Sequence, residues 1–106
     1  MDLSHTAVTD AGLVHLNAFA RLKSLSLKCH FYRTDITDAG MVHVGNLKSL
    51  ERVDLHGTQV GNRGVEHLSE LTNLKRVGLG LTMVGGSGLA PLAELPNLES
   101  LSLSIG

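Results

Sequence analysis

Aromatic side chains are scarce in this 106-residue chain: two phenylalanines, one tyrosine and no tryptophan, 3% of the sequence. Cysteine is scarcer still. Cys29 stands alone, which excludes an internal disulfide and points to a reducing, cytoplasmic setting. No Asn-x-Ser/Thr sequon occurs, and every apolar run is broken within a few residues by charge or glycine, so no membrane span is expected. The start, Met1-Asp2-Leu3, has neither the basic leader nor the apolar run of a signal peptide. Nor is one sign of charge in excess: nine basic and ten acidic side chains leave a net charge of −1. That balance gives no electrostatic case for nucleic acid or an anionic membrane. Apolar residues still make up 42%, enough for a continuous core, and at this length one domain (1–106) is expected.

What the chain has in abundance is repetition. An apolar-x-Leu triplet recurs at Met1-Asp2-Leu3, Leu25-Ser26-Leu27, Val53-Asp54-Leu55, Val77-Gly78-Leu79 and Leu101-Ser102-Leu103, with steps of 24, 28, 24 and 24 residues. The units are therefore 1–24, 25–52, 53–76 and 77–100, with 101–106 opening a fifth. Unit position 6 is threonine (Thr6, Thr34, Thr58, Thr82), position 8 is Val8, Ile36, Val60 or Val84, and position 12 is glycine (Gly12, Gly40, Gly64, Gly88). Positions 13, 16, 19 and 22 are apolar throughout and are read as core, Phe19 among them. A period of this size is that of stacked architectures, in which each unit buries its apolar face on its neighbours.

Two local periods are interleaved in each unit. The triplet alternates in and out as a short strand does. Positions 13 and 16 have the three-residue step of one helical face, and Thr9-Asp10 or Thr37-Asp38 just ahead supplies an acceptor for the free N–H groups of a first helical turn. The glycine at position 12 is expected to let the helix approach the strand closely. In the fourth unit, Gly85-Gly86-Ser87-Gly88 and Pro91 predict a short or irregular helical segment.

The series Leu22-x-x-Leu25-x-Leu27, Leu50-x-x-Val53-x-Leu55, Leu74-x-x-Val77-x-Leu79 and Leu98-x-x-Leu101-x-Leu103 resembles the leucine-rich repeat family over nearly the whole chain. Threonine stands where the family usually has Asn or Cys, and its hydroxyl can satisfy backbone groups inside the turn. The stretch Thr-x-Val-Thr-Asp-Ala-Gly-Leu-x-His-Leu is similar to helix-bearing intracellular and bacterial repeats, including F-box-associated and ribonuclease-inhibitor-like ones. The resemblance implies an α/β solenoid: a right-handed superhelix with a parallel sheet on its concave side and short helices on its convex side. It also implies recognition of another protein, largely by the concave face.

Strand positions pointing away from the core place Lys28, Arg52, Asp54, His56 and Arg76 at the centre of that face, with Gly78, Gly80 and serines towards its distal end. Solvated strand charges are the bland reading of the centre. Inert spacing is the bland reading of the distal end, and the alternative there is a flat lane for an approaching backbone. A four-residue insertion in the second unit carries Phe31 and Tyr32, either as interface contacts on one rim or, for Phe31, as a cover over the first unit. The candidate protein-binding set is thus Lys28, Phe31, Tyr32, Arg52, Asp54, His56 and Arg76. Five short strands offer a floor of roughly 24 by 10 Å, below the ~800 Å² per partner of a standard interface. That shortfall, with apolar residues at both ends of the repeat, points to a segment of a longer array or to self-association.

Catalytic, cofactor and metal sites are not expected. His15, His43 and His67 share unit position 15, but neighbouring helices lie roughly 8–10 Å apart, too far for one zinc ion with ligands at ~2 Å. The glycines from Gly78 to Gly88 lack the lysine of a phosphate-binding loop. Cys29 beside His30 has no orienting third group. The expectation is a non-catalytic protein-interaction module. The alternatives are a substrate-recognition segment of a ubiquitin-ligase adaptor and a self-associating structural solenoid.

Overall fold

The computed structural model describes residues 1–3, 8–19, 21–28, 36–80 and 82–103. It is a mixed α/β arrangement. Four three-residue strands, β1 (Ser24–Ser26), β2 (Arg52–Asp54), β3 (Arg76–Gly78) and β4 (Ser100–Ser102), form one parallel sheet in sequential order. The register places Ser24, Arg52, Arg76 and Ser100 in one row and Ser26, Asp54, Gly78 and Ser102 in the next. Each strand begins one residue before its apolar triplet. The first triplet makes a single parallel bridge, Asp2 to Ser26, rather than a full strand.

Helical segments separate the strands. A 3-10 helix spans Gly12–Ala18, and a 3-10 turn at Asp38–Gly40 runs into α1 (Met41–Val44). Beyond them, α2 (Asn62–Glu66) runs into a 3-10 turn at His67–Glu70, and α3 spans Gly86–Ala93. The fourth unit, expected to be short or irregular here, instead holds the longest α-helix among the described residues, at eight residues. Proline at position 91 removes one intrahelical N–H donor, but Leu92 is fully buried and Leu89 packs against the core, so packing outweighs the local penalty.

The core runs through all the units. Leu13, Leu25, Ile36, Met41, Leu50, Leu55, Leu68, Leu74 and Leu92 are each at most 1% exposed, and the position 8, 13 and 16 residues of neighbouring units belong to the same cluster. Phe19 is a correction. It is 47% exposed, whereas its counterparts Leu47, Leu71 and Leu95 are buried. Phe19 is not among the side chains packed on the core cluster and instead borders an open depression with Ala18, Arg21 and Leu22. Among the described residues Thr58 is the buried polar one, and its hydroxyl donates to the Leu55 carbonyl at 2.8 Å. Thr82 repeats this bond to Leu79 at 2.6 Å. Thr6 and Thr34 lie outside the described residues.

The helix starts carry the expected threonine acceptors, Thr9 Oγ1 taking the Gly12 N–H at 3.4 Å, and a second set of bonds besides. Thr37 does accept a bond from the Ala39 N–H of its own turn. The side chain at position 10, however, reaches across to the next unit. Asp10 accepts the Thr37 N–H at 2.8 Å and its hydroxyl at 2.5 Å. Asp38 Oδ1 accepts the N–H groups of Gly61 at 2.6 Å and Gly64 at 3.0 Å. Asn62 Oδ1 accepts the Gly85 N–H at 2.8 Å, while its amide donates to Ser87 Oγ. Gly61 and Gly85 occupy the cap positions of α2 and α3 and have no side chain to offer, so the preceding unit supplies the acceptor.

This lateral cap also explains the glycine at position 12. A Cβ on Gly64 would lie 2.5 Å from Asp38 Oδ1, and one on Gly88 2.5 Å from Asn62 Oδ1. A Cβ on Gly40 would collide with Asp10 Oδ1. The glycine makes room for the neighbouring unit's cap, not for the strand. At Gly12 the same Cβ would meet only Val8 at 3.7 Å and Thr9 at 3.9 Å, ordinary contact. Gly64→Ala should therefore lower stability by about 1–3 kcal/mol, while Gly12→Ala should be neutral within about 0.5 kcal/mol. Parallel urea titrations followed by circular dichroism separate the two. Equal losses at both positions would contradict the cradle explanation.

Candidate open face of the sheet

Alternation along each strand sends Leu25, Val53 and Val77 into the core and leaves their neighbours on the opposite face. In the first three strands the leading residue is exposed and the third half-buried. Together these residues line a shallow cavity of about 320 Å³, whose floor includes Ser26, Arg52, Asp54, Arg76, Gly78 and Ser100. The sheet thus brings Arg52, Asp54 and Arg76 of the candidate set into one depression. Lys28 and His56 are half-buried, each two residues beyond the end of its strand, and do not line it. Phe31 and Tyr32 lie outside the described residues.

Charge on this face is arranged by row. Arg52 and Arg76 are direct register partners, and both are exposed. Among the described residues neither guanidinium lies within ion-pair distance of a carboxylate. Asp54 is engaged elsewhere: its Oδ1 accepts the His56 N–H at 3.0 Å. The same oxygen lies 2.8 Å from where a Cβ on Gly78 would stand. Asp54 therefore leans over Gly78, and the space expected to serve as a flat lane at that point is filled by a carboxylate.

The row immediately before the strands behaves in the opposite way. Lys23, Glu51, Lys75 and Glu99 alternate in sign, and Glu51 pairs with Lys75 at 3.4 Å and Lys23 at 4.0 Å. Backbone bonds hold these residues in line: the Lys23 carbonyl accepts from Glu51 and Arg52, the Glu51 carbonyl from Lys75 and Arg76, and the Lys75 carbonyl from Glu99 and Ser100. Two further side chains tie units together on that side. Asn73 Nδ2 donates to the Lys48 carbonyl and Asn97 Nδ2 to the Thr72 carbonyl. Position-by-position reading missed both sets. Their signal was present in the alternating signs at position 23 and the asparagines at position 21.

A second depression, about 460 Å³, is bordered by Ala18, Phe19, Arg21 and Leu22. On the helical side, His15 is exposed and His43 and His67 are half-buried. Among the described residues no three His, Cys, Asp or Glu side chains gather where a metal ion would be held. No helix among them is long and apolar enough to cross a membrane. Cys29 and His30 lie outside the described residues. No family model matches the chain, and no curated protein is similar to it at a significant level.

Proposed function

We propose that this chain is a non-catalytic leucine-rich-repeat module that binds a partner protein across the open, concave face of its sheet. The observation that carries the reading is the parallel sheet in sequential order. It exposes a row of polar and charged side chains, Ser24, Arg52, Arg76 and Ser100, over an apolar layer that is already buried. A face of this kind presents side chains on a backbone fixed by its ladder, so a partner meets a rigid, preorganised surface. The solenoid reading is supported by the repeat period, by the sequential strand order β1-β2-β3-β4, and by caps that pass from one unit to the next. Engagement of the rim by the Phe31 and Tyr32 insertion belongs to the same proposal.

Site-specific photocrosslinking tests it. Benzoylphenylalanine in place of Ser26 or Ser102, on the open face, should give discrete protein adducts in cells that express the protein at natural levels. The same group in place of Glu66, exposed on α2, should not. Adducts arising only from position 66, or from none of the three, would refute the assignment.

A further inference from the structure

Resting on the concave-face reading, we infer that Arg52 and Arg76 jointly hold a carboxylate of an acidic, extended segment of the partner protein. The two arginines face each other across the β2–β3 ladder, where backbones run about 4.8 Å apart. Like charges directly opposite in a sheet are destabilising, so the pair works against the fold it sits in. The chain has the means to avoid this. One residue earlier, in the row Lys23, Glu51, Lys75 and Glu99, the same neighbouring units alternate in sign and form ion pairs. The unneutralised row lines the 320 Å³ depression together with the row that holds Asp54.

The chemistry selects the ligand. Each guanidinium presents a planar fork of N–H donors, and a carboxylate has two oxygens with enough lone pairs to accept from both at once. The serines at the ends of the row, Ser24 and Ser100, add hydroxyl donors on either side. Asp54, two residues along β2, has its carboxylate over Gly78 and borders the same depression. That fixed negative charge, about 7 Å along the strand from the arginine row, opposes a doubly charged phosphate more than a singly charged carboxylate. It also favours a donor or cation on the partner one step away from the acid. The expected partner is therefore an acidic side chain on a protein segment, not a phosphate group or an anionic lipid surface.

The test is a heteronuclear NMR titration of the full chain with a capped peptide of alternating glycine and glutamate, against its glutamine counterpart. The glutamate peptide should shift the Arg52 and Arg76 side-chain Nε–H signals and the amides of residues 52–54 and 76–78, saturably. The glutamine peptide, and the glutamate peptide on an Arg52→Gln/Arg76→Gln variant, should bind at least tenfold more weakly. That variant should melt at the same temperature or higher, because it removes a like-charge pair, so lost binding is not lost folding. Inorganic phosphate and phosphatidylserine vesicles form the remaining arms, and tighter binding to either overturns the inference. So does the absence of saturable shifts up to about 10 mM glutamate peptide, a limit set by ordinary weak-binding arithmetic. Equal binding of the glutamine peptide on the same floor would remove the acidic partner while leaving the concave-face reading intact. Shifts confined to the helical side would remove both.

Discussion

A Leu68→Asp chain should be unfolded at room temperature, with native circular dichroism lost and its amide proton spectrum collapsed to the random-coil range. Leu68 is fully buried at the join of α2 and the following 3-10 turn, within the cluster that runs through all the units. Losing a buried leucine costs about 2–5 kcal/mol by itself. An uncompensated carboxylate, or its protonation, adds several more. The sum rivals the whole stability of a chain this size, about 5–15 kcal/mol. Leu68→Met, which keeps the volume, should lose less than about 1.5 kcal/mol. A well-dispersed spectrum from the aspartate variant would mean that units fold without one another, and the cooperative core would have to be abandoned.

Asp38→Ala should have the next largest effect, a loss of about 2–4 kcal/mol, from two part-buried bonds to a charged acceptor. The Gly61 and Gly64 N–H groups at the start of α2 would then have no side chain to accept them. Asp38→Asn should recover most of the loss, because Asn62 performs the same task for the Gly85 N–H in the next unit. Urea midpoints measure the energy, and hydrogen exchange at the Gly61 and Gly64 amides locates it. If alanine and asparagine prove equally harmful, or alanine harmless, the bond across units is not what holds the helix start.

How much of this could be read in advance follows from which interactions are local. Strand positions and their inward residues were legible because alternation around Leu25, Val53, Val77 and Leu101 is a property of adjacent residues. The sequential parallel order followed from a period too short for any other connection. The cap was half legible. Asp10 and Asp38 were recognised as acceptors, but their donors lie 23–27 residues away, and no local pattern names them. Helix length misled in the fourth unit because propensity counts Gly86, Gly88 and Pro91 without the burial of Leu92 and the cap from Asn62. Phe19 misled for the converse reason: its place in the period is that of a core residue, but exposure depends on how many neighbours press on it. Among the candidate binding residues, the sequence named Arg52, Asp54 and Arg76 individually. The lean of the Asp54 carboxylate over Gly78 joins two units across the β2–β3 ladder, and no spacing within either unit names it.

The cap that passes from one unit to the next carries a rule for how such a chain can grow. Each acidic or amide side chain at position 10 is matched to a glycine cradle at position 12 one unit later. Gain or loss of a whole unit by gene duplication or recombination keeps every plug facing a socket. An insertion between positions 10 and 12 would part them, whereas one upstream of position 10, where the second unit has its four extra residues, leaves that spacing unchanged. Variation in this lineage should therefore collect in the loops between strand and helix and spare the short plug-and-socket stretch.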